Sequence, residues 1–224
     1  MPTPGIILGI AAVLSVTVAV GWRVLSRRKF LPCPSSLTWL LENPMMEGVA
    51  GSSALIERSG VQPGMAVLDA GCGPGRLTIP LARHVGTEGH IVALDAQRSM
   101  LAKLTERMTT HGISNVRTLC ARLGTGALGS ERFDRAFLVT VLGEIPNQED
   151  ALSEIYEHLN PGGLLTVCEV LPDPHYQSQA TVWKLAERTG FTPRVVHRNY
   201  RSYTMNLTRP PVPGRKKTSG GDLG

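Results

Sequence analysis

Residues 67–75 read VLDAGCGPG: an apolar run delivers one carboxylate, Asp69, and then Gly71, Gly73 and Gly75, interleaved with Cys72 and Pro74. Glycines accept positive φ and let the backbone approach a ligand closely, and a helix starting just after them offers N–H groups without intrahelical partners. The dinucleotide pattern Gly-x-Gly-x-x-Gly requires a further glycine at position 76, where this chain has Arg76. Asp69 directly ahead of the loop would repel a pyrophosphate, so it suits a ligand that carries positive charge. A second acid, Asp95, closes the next apolar run, HIVALD, and a carboxylate there can grip two neighbouring hydroxyls with both oxygens. A third group lies further along. Glu144 sits in GEIPN, and Glu169, Asp173, His175 and Tyr176 gather in EVLPDPHYQ. His175 can accept a proton from a hydroxyl, and Tyr176 can stack on a small molecule or wall it off.

The elements that must position these residues alternate. Short apolar runs at 65–70, 90–95, 116–120, 135–140 and 163–170 read as strands, and helical periodicity marks 76–85, 99–112, 148–160 and 180–190. Residues 194–199 and 202–208 read as an antiparallel pair. Met46, Val49, Ser53 and Ile56 fall at helical spacing ahead of the first strand, with Gly60 as the C-cap. Alternation of this kind predicts an α/β fold, a Rossmann-like doubly wound and mostly parallel sheet covered on both faces. Ligands of such sheets bind at the carboxyl ends of the strands, where every residue group named above falls.

A ligand with a cationic sulfonium, an ammonium and a ribose diol meets the demands of Asp69 and Asp95, and S-adenosyl-L-methionine has all three. VLDAGCGPG, IVALD, FDRAFLVTVLGEIP and LNPGGLLTVCE, in this order, resemble the motifs of class I S-adenosylmethionine-dependent methyltransferases. The resemblance covers about residues 45–208 and implies a seven-stranded sheet with a reversed last strand. It implies that Asp69, Gly71, Cys72, Gly73 and Gly75 line the methionine end of the cofactor, that Asp95 and Ala96 hold ribose and adenine, and that Val139, Thr140 and Val141 border its far side. Many members carry an acid after the third strand for the adenine amine. Here Ala121 and Arg122 stand there, which leaves adenine to backbone contacts. The reaction so implied is an in-line displacement, in which the protein aligns the acceptor and excludes water. Glu144, His175 and Tyr176 are the candidates on the acceptor side.

With 224 residues and 42% hydrophobic content, the chain has room for one such domain plus appendages. The net charge of +5 comes with basic clusters at Arg23, Arg27, Arg28 and Lys29 and at Arg215, Lys216 and Lys217, and aromatics are only 5%, so no nucleic-acid partner is expected. The four cysteines form no CxxC pair, no metal is expected, and Cys120 and Cys168 read as small hydrophobes inside strands. Residues 2–22 carry no charge and are followed by RVLSRRK. That pattern predicts a transmembrane anchor over 1–29, with the rest on the cytoplasmic face. A linker or interfacial helix is expected over 30–44, the catalytic domain over 45–208 and a disordered tail over 209–224. So short a link holds the domain at the lipid bilayer, which favours a lipophilic acceptor such as a quinone precursor or a lipid. Two rival functions remain: a membrane protein that binds the cofactor without turnover, and a nicotinamide-dependent oxidoreductase, against which Asp69 and Arg76 argue.

Overall fold

Five runs rich in apolar residues pair side by side as parallel strands: β1 (Ala66–Ala70), β2 (His90–Asp95), β3 (Val116–Cys120), β4 (Phe133–Val139) and β5 (Leu159–Val170). The computed structural model in which they are seen describes residues 51–171 and 173–211. Val67 and Leu68 are adjacent in β1 and both fully buried, as a strand covered on two faces requires. β6 (Thr192–Arg198) and β7 (Ser202–Thr208) complete one seven-stranded sheet in the order β3-β2-β1-β4-β5-β7-β6. β7 runs antiparallel to both neighbours, so it is the reversed strand expected at the end of the chain.

Helices cover both faces. α1 (Ser52–Ser59) and α2 (Thr78–Val85) bury Leu55, Leu81 and Val85 against Val67, Ile91 and Phe137. α3 (Arg98–Thr110) sets Leu104 against Ala93. On the opposite face, α4 (Gln148–His158) and α5 (Gln179–Arg188) bury Leu152, Ile155 and Val182 against Leu68, Leu138 and Val167. Gly60 caps α1 in the left-handed conformation, with φ 62° and its N–H on the Glu57 carbonyl. The expected helical positions Met46 and Val49 lie outside the described residues.

The twelve-residue connection from Ala121 to Arg132 has no regular structure, yet it buries Leu123 and Leu128. One side chain organises it. The buried carboxylate of Glu154 in α4 accepts the N–H groups of Gly124 at 2.5 Å, Thr125 at 3.1 Å and Leu128 at 3.1 Å.

Two details differ from the sequence reading, the end of α4 and the exposure of Cys120. α4 ends at His158 rather than 160, because Leu159 already pairs with Phe133 and the following residues bulge before pairing resumes at Leu164 and Arg135. Arg209 packs on the fold: its N–H bonds the Gly163 carbonyl, and its guanidinium caps the carbonyl end of α4 at Tyr156, Glu157 and Leu159 while lying over the Tyr156 ring. Cys120 is exposed rather than packed, because β3 is an edge strand, whereas Cys168 is buried. The expected anchor over 1–29, the linker over 30–44 and the tail beyond 211 lie outside the described residues. Among the described residues no helix is long and apolar enough to cross a membrane.

Candidate active site

The strand order reverses on passing from β1 to β4, and the loop after β1 folds over that point. The N–H groups of Gly71 and Cys72 both donate to the Leu94 carbonyl, at 2.7 and 3.0 Å, which pulls the loop onto the end of β2. The glycines then divide by role. At Gly71, φ is 74° and an added Cβ would stand 2.4 Å from a Val141 methyl; at Gly75, φ is 93° and the same atom would stand 2.4 Å from Leu104 of α3. Both are places where backbone packs on a neighbouring side chain. A Cβ on Gly73, at φ 53°, would meet nothing within 4 Å among the described residues, so its backbone faces open space there. That cradle is where a ligand can approach the chain directly.

Asp95 clamps the cradle. Its Oδ2 accepts the Gly73 N–H at 2.9 Å and its Oδ1 the Gln97 N–H at 2.8 Å. An ionised carboxylate has about four acceptor positions, so each oxygen keeps one for a ligand hydroxyl. Burial pushes the Asp95 pKa up, and the two N–H donors oppose it. Asp69 lies behind the loop, buried, with Oδ2 accepting the Thr78 hydroxyl at 2.6 Å. Burial raises its pKa to about 6, against the Thr78 hydrogen bond and the charge of Arg76, with Asp95 adding to the rise. A cationic ligand nearby would favour its charged form. Cys72 is no nucleophile, because burial, with Asp69 and Asp95 adding to it, pushes its thiol well above the usual range.

The opposite wall is the end of β4. Thr140 has φ 56° and is the sole non-glycine residue with positive φ among the described residues. Its N–H bonds the Cys168 carbonyl at 2.8 Å and its hydroxyl the Val139 carbonyl at 2.7 Å. A residue so held costs about 1–3 kcal/mol, a strain that collects at functional sites. The bend carries Val141 over Gly71, and Val139, Thr140 and Val141 are all half-buried. Ala96 is exposed beside Asp95. The Ala121 N–H is already donated to the Asp95 carbonyl at 3.2 Å, and the Arg122 carbonyl accepts the Thr125 hydroxyl, so the backbone groups left for adenine at this point are the Ala121 carbonyl and the Arg122 N–H.

The acceptor-side candidates do come together. A short 3-10 turn, Leu142–Glu144, follows β4 and lies so close to the loop after β5 that a Cβ on Gly143 would collide with the His175 carbonyl. His175 is buried, its N–H on Asp173 at 2.6 Å. Tyr176 meets Tyr203 of β7 edge to face, centroids 6.0 Å apart, and the Tyr203 hydroxyl donates to the Gln177 carbonyl at 2.8 Å. Beneath them lies Glu169, whose Oε2 accepts the Gln177 N–H at 3.1 Å. Burial raises its pKa to about 8; the Gln177 N–H opposes this, while the charges of Asp173 and Glu144 add to it. Tyr203 carried no motif, and only the pairing of β5 with β7 brings it here. A separate cavity of about 640 Å³ is lined by Glu57 of α1, Gln62 ahead of β1, and Arg83 and His84 of α2. Among the described residues no group of three or more His, Cys, Asp and Glu side chains converges as a metal site.

An open backbone cradle, an acid with spare acceptor positions and a buried acid behind the loop fit a cationic, ribose-bearing cofactor. Comparison with known proteins agrees. Residues 67–163 match the methyltransferase domain family. The chain is 37% identical over 115 residues to the ubiquinone/menaquinone biosynthesis C-methyltransferase UbiE of Hydrogenovibrio crunogenus, covering 51% of this chain and 45% of that protein. The Marinomonas UbiE is 34% identical over 115 residues, with 51% and 46% covered. The chain thus spans about half the length of these relatives. A methyltransferase from Aquifex aeolicus described as SAM dependent superposes with a TM-score of 0.73 at 22% identity, covering 79% of this chain and 99% of that one. The magnesium protoporphyrin IX methyltransferase of Synechocystis, solved with bound SAM, gives 0.56 at 22% identity, with 70% and 76% covered. Residues 67–163 are thus similar to a methyltransferase domain, and the fold around them is shared with solved methyltransferases.

Proposed function

We propose that the whole chain is a methyltransferase held at a membrane by residues 1–29, with its catalytic domain on the cytoplasmic face, and that its acceptor is a lipophilic small molecule, a quinone precursor or a lipid. The cradle at Gly73, clamped by Asp95, is the observation that carries the enzymatic reading. Bound there, the cofactor supplies an electrophilic methyl group. Gly71 and Cys72 pin the loop, Gly73 faces the amino-acid end of S-adenosyl-L-methionine with Asp69 behind it, Asp95 and Ala96 hold its ribose and adenine, and Val139, Thr140 and Val141 close the side toward the acceptor. Glu144, His175 and Tyr176 face the acceptor, whose position next to the methyl group they fix.

The lipophilic acceptor is supported by the uncharged run over 2–22 with its basic flank, and by the quinone pathway named for the relatives. The test is transfer of labelled methyl from the cofactor by full-length protein mixed with membranes from its source. Label is expected in the organic extract, and a chain lacking residues 1–44 is expected to lose most of this transfer while still binding the cofactor. Label confined to protein or to water-soluble compounds would refute the lipophilic assignment. Extraction of the full-length chain by alkaline carbonate would refute the anchor.

A further inference from the structure

We propose that Glu169 takes the proton of the acceptor's hydroxyl during methyl transfer, with Nδ1 of His175 as the second polar contact to that hydroxyl. The proposal rests on the methyltransferase reading above and gives its acceptor a chemical class: an aromatic hydroxyl of the phenol or hydroquinone type.

Among the described residues two buried polar atoms have no hydrogen-bond partner, Glu169 Oε1 near the end of β5 and His175 Nδ1 in the loop after it. Their residues are 1% and 4% exposed, so bulk water does not serve them. An unsatisfied buried polar group costs about 1–3 kcal/mol, and such groups call for a partner that arrives with a ligand or a bound water. A merely structural carboxyl had a partner at hand. Glu169 stands opposite Tyr203 in the β5–β7 ladder, yet the Tyr203 hydroxyl donates to the Gln177 carbonyl instead.

Position points the same way. Glu169 follows Cys168, whose carbonyl holds the strained Thr140 N–H, so its backbone adjoins the bend that carries Val141 over the glycine loop, and its carboxyl feels the charge of Glu144 just beyond that bend. Facing it are Glu144 after β4, Asp173 and Tyr176 from the loop after β5, and Tyr203 from β7. Burial and the two neighbouring acids favour its protonated form; the Gln177 N–H favours the ionised one. A base poised near 8 is matched to a phenolic hydroxyl, ordinarily about 10, and not to an alkyl alcohol. The edge-to-face rings of Tyr176 and Tyr203 offer an aromatic wall to a flat acceptor.

The step balances. The acceptor's O–H bond breaks and its proton passes to the Glu169 carboxylate. The freed electron pair drives the oxygen, or a conjugated ring carbon, onto the methyl carbon. The sulfur–methyl bond breaks with its pair left on sulfur, so a cation and a carboxylate become a neutral thioether and a carboxylic acid. Where carbon is methylated, the ring proton then returns to the oxygen. Glu169 releases its proton to solvent before the next turnover.

The experiment uses full-length protein, source membranes and methyl-labelled cofactor from pH 6 to 10, with Glu169→Gln, Glu169→Asp and His175→Ala. Calorimetry with S-adenosylhomocysteine and binding of a prenylated phenol are read alongside and need no turnover. The wild-type rate should rise with pH to a plateau above about 8. Glu169→Gln should lower it about 100-fold or more and abolish the rise, with S-adenosylhomocysteine affinity unchanged within about twofold. Glu169→Asp should keep the rise at reduced rate. At pH 8 both Glu169→Gln and His175→Ala should weaken binding of the prenylated phenol. If Glu169→Gln does not fold, the other two variants carry the test. A Glu169→Gln rate within about threefold of wild type with the same pH rise overturns the proposal alone. Prenylated-phenol binding indifferent to both substitutions also overturns it, and leaves the two orphaned atoms to a buried water. Wild-type protein that binds S-adenosylhomocysteine yet labels no extract overturns the methyltransferase reading first.

Discussion

Glu169→Gln replaces a buried carboxyl by a neutral group of the same shape, and its effect on stability depends on pH in a way the structure fixes. In the folded chain Glu169 holds its proton up to about pH 8, against 4.5 for an ordinary glutamate. Between those values the native state binds a proton that the unfolded state has lost, so stability falls as pH rises, and it levels off once both states are ionised. Each pH unit in that interval removes about 1.4 kcal/mol, which sums to about 3–6 kcal/mol between the two ends. Glutamine has no such dependence. The two proteins should therefore be similar in stability near pH 5, and the variant should be the more stable by about 3–6 kcal/mol above pH 8. Asp69 also titrates in this range, at about 6, but it is common to both chains and cancels in the difference. Urea denaturation followed by circular dichroism at pH 5, 6, 7, 8 and 9 measures the divergence. A difference between the two proteins that stays constant across this series would refute the reasoning, because it would mean that Glu169 is ionised throughout.

Three further substitutions test other parts of the site. Gly75→Ala, whose methyl group would stand 2.4 Å from Leu104, should cost about 2–4 kcal/mol in urea denaturation, whereas Gly73→Ala, with open space ahead, should cost about 1–2 kcal/mol and act mainly on cofactor affinity. Equal losses of stability at the two positions would contradict the division of the glycine loop into packing and ligand-facing parts. Asp95→Ala should reduce S-adenosylhomocysteine affinity by about 10–150-fold, the worth of a hydrogen bond to a charged group at about 1.5–3 kcal/mol, as read by calorimetry. Glu154→Ala strips the acceptor from the N–H groups of Gly124, Thr125 and Leu128, so it should destabilise the fold by about 2–4 kcal/mol and open residues 121–132 to proteolysis, which mass spectrometry of the first cleavage products detects.

The acceptor side was legible only in part. EVLPDPHYQ marked Glu169, His175 and Tyr176 as a polar group on a proline-braced loop, and the structure does bring His175 and Tyr176 together with Glu144. What a residue type and spacing could not express was burial. Glu169 reads in sequence as one more acid at a strand end, yet the packing of Tyr203, Gln177 and the loop around it turns it into a carboxyl that keeps its proton near neutral pH.

By itself the sequence determined the order of strands and helices, the parallel sheet and the cofactor chemistry that is proposed. Those depend on local chemistry: which residues accept positive φ, which runs are apolar on both faces, and where an acid follows a strand. VLDAGCGPG and HIVALD are complete statements of that chemistry within thirty residues. Tertiary structure alone decided that Gly71 and Gly75 serve packing while Gly73 faces open space, that Thr140 is bent to carry Val141 over the loop, and that Glu154 holds the connection between β3 and β4. It also decided that Tyr203 stands opposite Glu169, through the insertion of β7 between β5 and β6. Each of these depends on strand register and on which side chains meet across the sheet, and contacts between residues far apart in the chain leave no fixed spacing in the sequence from which they could be read.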